Sequence, residues 1–171
     1  MTETIKYAII GAGCMGQEHI LNIELIDDAE VVALCDTSEQ SIEESLKLLD
    51  NEVAIFKDYT DLIEANIANA FIIATPNFTH IDVLKDVMKS GVHLLIEKPL
   101  CTTVKDCQEF EKLAENYPGV IWTAMEYRYM PPVQRMINEI HNNTIGDLKM
   151  LSEACLDSSI NKLIESPEEK S

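Results

Sequence analysis

Ile5-Lys6-Tyr7-Ala8-Ile9-Ile10-Gly11-Ala12-Gly13-Cys14-Met15-Gly16 is a β-branched apolar run that ends in Gly-x-Gly-x-x-Gly. A helical pattern follows, and a second apolar run ends in Asp36, twenty residues beyond Gly16. Strand, glycine turn, helix and strand-end acid in this order suit a dinucleotide. Gly11 permits the tight turn, Gly13 keeps side-chain atoms clear of a pyrophosphate, and Gly16 lets the helix approach the strand. The first-turn N–H groups and the helix dipole then face the phosphates. Ala12, Cys14 and Met15 complete the loop as cofactor-binding candidates. The plain alternative is a strand-to-helix turn with no ligand, and the acid at the second strand end is what favours the nucleotide. Ile10 stands where methyltransferase loops usually carry an acid, and the chain has no Gly-Lys-Ser/Thr triplet of a kinase-type phosphate loop.

Working outward, strand and helix signals alternate. After the strand Ile5 to Ile10, a helix is expected from Cys14 to about Asp27, with Met15, His19, Ile23 and Ile26 on one side. A strand from Glu30 to Cys35 precedes a helix capped by Ser38, with Ile42, Leu46 and Leu49 as its stripe. Short elements follow at Val53 to Phe56 (strand) and Thr60 to Asn66 (helix). Ala70 to Ala74 is apolar throughout, as in a parallel sheet covered on both faces. A helix from Thr79 to Ser90 stops at Gly91, and a strand runs from Val92 to Ile96. A helix from Thr103 to about Asn116, a strand from Val120 to Ala124 and a helix opened by Pro131-Pro132 complete the pattern. The alternation predicts an α/β fold, a doubly wound parallel sheet of the Rossmann type, with only the start of a second α+β domain. The expected divisions are a nucleotide-binding domain over 1–125, a connecting helix and first strand over 126–151, and a polar, poorly ordered tail over 152–171.

Composition narrows the partners. The 171 residues carry a formal net charge of −17. Such a surface repels nucleic acid and anionic membranes. No apolar run approaches the roughly 20 residues that span a bilayer. Met1-Thr2-Glu3-Thr4 lacks the basic start of a signal peptide. Five scattered cysteines without Cys-x-x-Cys pairs read as reduced thiols of a cytoplasmic protein, and neither they nor the four histidines have metal-ligand spacing.

The remaining candidates sit at strand ends, where such sheets bind ligands. Asp36 suits the ribose hydroxyls and repels a 2′-phosphate, and no arginine follows it in Thr37-Ser38-Glu39-Gln40, so NAD is favoured over NADP. Its bland role is a turn or cap residue beside Thr37-Ser38. Thr75, Pro76 and Asn77 read as a loop passing the cofactor. His80 reads either as a cofactor group or, with more weight, as a surface residue in a helix's first turn. Lys98, between Glu97 and Pro99, is held extended by the proline and can point into the cleft to stabilise developing negative charge; otherwise it is an ordinary surface lysine. Glu97 could position or neutralise it. Arg128, in Glu126-Tyr127-Arg128-Tyr129, could bind a substrate oxygen or clamp a domain interface.

Gly11-Ala12-Gly13-Cys14-Met15-Gly16, Asp36, Ala74-Thr75-Pro76-Asn77-Phe78-Thr79-His80, Glu97-Lys98-Pro99-Leu100, Glu126-Tyr127-Arg128-Tyr129 and Ile145-Gly146-Asp147-Leu148 together resemble the glucose–fructose oxidoreductase / inositol dehydrogenase / MocA family. The resemblance implies an NAD(P)-dependent oxidoreductase that moves hydride between nicotinamide and a hydroxyl or carbonyl carbon of a sugar, polyol or related small molecule. It implies that Gly11, Gly13, Gly16 and Asp36 hold the cofactor and that Lys98 lies near nicotinamide and substrate as the catalytic candidate. It also implies a chain about twice as long, whose second domain supplies the proton-transfer residues and forms a homo-oligomer. The expectation is therefore a nucleotide-binding half with a truncated C-terminus. The alternative is an inactive NAD(P)-binding module or isoform acting through a full-length partner.

Overall fold

The computed structural model describes residues 4–144 and 146–147. Residues 145 and 148–151 of the expected first strand of a second domain, and the polar tail 152–171, lie outside the described residues. The chain divides into two units, one reaching Met125 and one from Glu126 onward.

The first unit is a six-stranded sheet in which every pairing is parallel. Its strands are β1 (Ile5–Ile10), β2 (Ala29–Cys35), β3 (Ala54–Phe56), β4 (Ala70–Ile73), β5 (His93–Ile96) and β6 (Ile121–Thr123). Between them run α1 (Cys14–Ile23), α2 (Glu39–Leu46), α3 (Tyr59–Ala65), α4 (His80–Val87) and α5 (Val104–Ala114). The order across the sheet is β3-β2-β1-β4-β5-β6, so the winding reverses between β1 and β4. This is the expected doubly wound Rossmann sheet, and its switch point opens beyond Ile10 and Ile73.

The pleat decides which core each residue joins. Ala8 and Ile10 of β1, Phe71 and Ile73 of β4 and Ile96 of β5 belong to one buried cluster, with Leu62 of α3 and Val83, Leu84 and Val87 of α4. Ile9 and Ile72 face the other way, onto Ile20 and Ile23 of α1 and Ile42 of α2. Each fully buried Ile or Leu adds about 2 kcal/mol of apolar transfer. The β1–β2 register slips between Tyr7, which faces Val31, and Ala8, which faces Ala33. Val32 is the extra residue of that bulge.

Local chemistry explains the helix starts. The Ser38 side chain accepts from Ser41 N, as its expected capping role requires. Asp58 caps α3 through Thr60 N, and Thr103 caps α5 through Asp106 N. The first helix is shorter than its periodicity suggests. It ends at Ile23, and Leu25 N and Ile26 N bond back three residues, to Asn22 and Ile23. Its buried face is Gly16, Ile20 and Ile23, whereas Met15 is 38% exposed and Ile26 53%. Ile23 is buried as expected, but the stripe's N-terminal part sits one residue over because Gly16, not Met15, is pressed against the strand. The second helix ends at Leu46, so Leu49 lies past it.

The second unit begins with a 3-10 turn, Glu126–Tyr129, followed by α6 (Pro131–His141), with proline in its first turn as anticipated. No helix of the described residues is long and apolar enough to cross a membrane.

Candidate functional site

Gly11 leaves β1 with φ at +99°, a backbone that an L side chain rarely adopts. A Cβ there would stand 2.5 Å from the Ala74 carbonyl, so the turn and the end of β4 touch backbone to backbone. A Cβ on Gly16 would overlap the Gly11 carbonyl oxygen. These two glycines set the closeness of α1 to the sheet. Gly13 differs: a Cβ there meets nothing within 4 Å, so the residue edges an open groove. Gly13 is also the N-cap of α1, where no side chain caps the helix and no acid occupies the first turn. The first-turn amides of α1 are therefore available to an anion.

Ala12 is clamped from both sides. Its N–H donates to Asp36 Oδ2 at 2.8 Å, and its carbonyl accepts from the buried Ser45 hydroxyl at 2.9 Å and from Gln17 Nε2 at 3.3 Å. Asp36 Oδ1 accepts from Ser38 N at 2.8 Å, so the turn role and the groove position coexist in one carboxylate. Each of its oxygens keeps a second lone pair for a further donor. The Gly11 N–H donates to the Cys35 carbonyl at 2.8 Å, which completes the fastening of the loop to β2.

The groove measures about 650 Å³, and Gly11, Gly13, Cys14, Met15, Asp36, Thr75 and Pro76 all line it. Asn77 lies outside that lining and opens a 3-10 turn, Asn77–Thr79. Thr79 lines the groove, donates from Oγ1 to the Pro76 carbonyl at 2.7 Å and shares a second hydrogen bond with Thr75 Oγ1 at 2.8 Å. Cys35 is buried beneath the groove. Burial first, then the carboxylates Asp36, Asp58 and Asp61, push its thiol up to about 12. That thiol stays neutral and inert.

His80 corrects the surface reading. It is fully buried, with Nε2 2.9 Å from the Thr75 carbonyl and Nδ1 2.9 Å from the Pro99 carbonyl. The ring thus joins the loop after β4 to the segment after β5. Both partners are carbonyl acceptors within hydrogen-bonding distance of the ring nitrogens. Glu97 is buried at the end of β5, with Oε1 accepting from His19 Nε2 at 2.9 Å and Oε2 from Lys98 N at 3.2 Å. Lys98 is exposed just past that strand, and the Lys98–Pro99 peptide bond is cis. Arg128 falls in the second unit, where its carbonyl accepts from Gln134 Nε2.

Some polar lining residues were not named as site candidates from the sequence. Lys57, Tyr59 and Thr79 face the groove, and Tyr59 also donates from its hydroxyl to Asp86 Oδ2 at 3.1 Å. The signal for Lys57 was its place directly after β3, the same strand-end rule that singled out Asp36.

A glycine turn, an uncapped helix start and a strand-end acid around one groove at the sheet's switch point define a dinucleotide-binding Rossmann domain. Residues 5–125 match the Gfo/Idh/MocA oxidoreductase family, NAD-binding Rossmann fold, and the chain belongs to that family. The chain is 28% identical over 147 residues to the rhizopine catabolism protein MocA of Rhizobium meliloti, covering 86% of this chain and 45% of that protein. It is 31% identical over 156 residues to the inositol 2-dehydrogenase of Pseudarthrobacter chlorophenolicus, covering 88% and 45%. The fold matches the crystal structure of scyllo-inositol dehydrogenase from Lactobacillus casei with bound NAD(H) and scyllo-inositol at a TM-score of 0.79, with 21% identity and coverage of 85% and 43%. The chain spans a little under half the length of these relatives. Its residues 5–125 correspond to the NAD-binding Rossmann fold of that family.

Proposed function

We propose that the groove binds NAD in preference to NADP, and that the chain supplies the cofactor-holding half of a dehydrogenase acting on a polyol or sugar. The open edge at Gly13, set against the uncapped start of α1, carries this reading, because that edge is where a pyrophosphate needs backbone donors without side-chain bulk. The first-turn amides of α1 hold the phosphates, the free lone pairs of Asp36 accept from the adenosine ribose, and Thr75 and Pro76 border the nicotinamide side. When bound, the nicotinamide supplies a hydride acceptor or donor. The Lys98 ammonium stabilises negative charge on the substrate oxygen, and the buried Glu97 beside it fixes its backbone. Asn77 is assigned to the rim of the cofactor groove, and Arg128 is assigned to holding a substrate oxygen. His80 acts through position, holding the two loops that border the cofactor.

Relatives named as inositol dehydrogenases support a cyclic polyol as the substrate class. A homo-oligomer and a cytoplasmic setting accord with this reading, and the charge of −17 disfavours nucleic acid and anionic membrane. The test pairs NADH fluorescence titration with turnover on a panel of inositols and sugar alcohols. Saturable binding supports the cofactor role, and NAD reduction with one polyol class supports the chemistry. Binding without turnover would favour a module that works through a longer partner. No binding would overturn the assignment.

A further inference from the structure

The following inference rests on the dinucleotide reading of the groove. Lys57 directly follows β3 and lines the groove beside Asp36 and Thr37. It also lines an adjoining hollow of about 170 Å³ with Asp36, Glu39 and Glu43. Among the residues lining these two cavities it is the one lysine or arginine. An ammonium beside the strand-end acid is the chemistry that would receive a phosphate on the ribose. Yet Lys57 Nζ lies 2.6 Å from Glu39 Oε1, and this contact holds the Glu39 carboxyl below its ordinary range, by the hydrogen bond first and the lysine charge second. Glu39 stands in the first turn of α2, where the helix dipole also favours its charge.

The pair does little for folding. Its side chains are 70% and 78% exposed, and exposed ion pairs contribute little to stability. Its effect falls on what approaches. With Glu39 in place, the rim presents the carboxylates Asp36, Glu39 and Glu43 against one neutralised ammonium. A ribose hydroxyl is indifferent to that balance, whereas a phosphate dianion is repelled by it. We propose that Glu39 is a specificity-determining residue of the cofactor groove. By occupying the Lys57 ammonium it excludes a 2′-phosphate, so that rejection of NADP rests on the Glu39–Lys57 pair together with Asp36.

NADH and NADPH are titrated by fluorescence into the unsubstituted chain, Glu39→Gln, Lys57→Met and the double variant, at about 50 mM and about 0.5 M salt. Because both side chains are exposed, all variants are expected to fold, which circular dichroism checks. Glu39→Gln is expected to lower the NADPH-to-NADH ratio of Kd values about fivefold to tenfold at low salt. The Kd for NADH should stay within about twofold, and the gain should vanish in the double variant and shrink at high salt. An unchanged ratio in Glu39→Gln overturns the inference, and so does a gain that persists without Lys57. If the unsubstituted chain binds neither nucleotide, the groove assignment itself falls and this inference with it. Tight NADH binding with an unmoved ratio overturns the inference alone.

Discussion

His19 Nε2 donates to Glu97 Oε1 at 2.9 Å, joining α1 to the end of β5 across 78 residues of sequence. The side chains are 16% and 7% exposed, so the carboxylate has few other donors to turn to. The helix that begins at the glycine loop and the strand that leads into Lys98 are thereby tied together. His19→Ala leaves a buried carboxylate short of a partner, and we expect a loss of about 2–4 kcal/mol. Thermal unfolding by circular dichroism should show a midpoint lower by roughly 5–12 °C. His19→Gln, which retains a donor, should recover at least about half of that loss. An alanine variant as stable as the parent would show that the contact does not hold the two elements.

Gly16→Ala should damage the fold before it touches the ligand. The added Cβ runs into the Gly11 carbonyl, which is backbone and has little room to move. Overpacking of this kind costs about 2–3 kcal/mol. Calorimetry should find a midpoint roughly 4–12 °C lower. An unchanged midpoint would mean that α1 does not rest on the turn as described.

Cys35 predicts an alkaline limit to stability. Its thiol moves from an ordinary 9.0 to about 12 in the folded chain, chiefly through burial. Below pH 9 both states keep the proton and the contribution is complete. Between 9 and 12 the unfolded chain releases a proton that the folded chain retains, so stability falls as pH rises through that window. Tyr59 and Tyr117 act in the same direction, their phenols held up by burial. Thermal midpoints measured from about pH 8 to about pH 11 should decline, and less steeply in Cys35→Ala. Equal slopes would rule out Cys35 as a source. In the folded chain, iodoacetamide should label the exposed Cys14 and Cys107 well before Cys35, as read by peptide mass mapping.

Continuous apolar runs such as Ala70–Ile73, and the glycine loop with its following helix, carried the sheet and the groove's position in plain view of the sequence. Their signals are local: a run buried on both faces, a turn that needs glycine, a cap at Ser38. What stayed hidden depended on partners far along the chain. The expected stripe Met15–His19–Ile23–Ile26 and the observed Gly16–Ile20–Ile23 share Ile23, and the close approach of Gly16 to Gly11 decides the rest. His80 looked like a first-turn surface residue because its second carbonyl, on Pro99, lies 19 residues away. Ser45 gave no hint that its hydroxyl reaches back to Ala12, 33 residues earlier. Lys57 was passed over although its strand was expected at Val53 to Phe56, because its place on the groove depends on Asp36, which ends the neighbouring strand 21 residues earlier.

NADH titration of the chain and its Gly13→Ala variant is the most direct measurement. The new methyl meets nothing within 4 Å, so the variant should melt within about 2 °C of the parent. The same methyl would stand where a pyrophosphate approaches, and NADH binding should weaken by about tenfold or more. Equal NADH affinity in the two proteins, or no binding to the parent, would contradict a dinucleotide lying along the Gly13 edge.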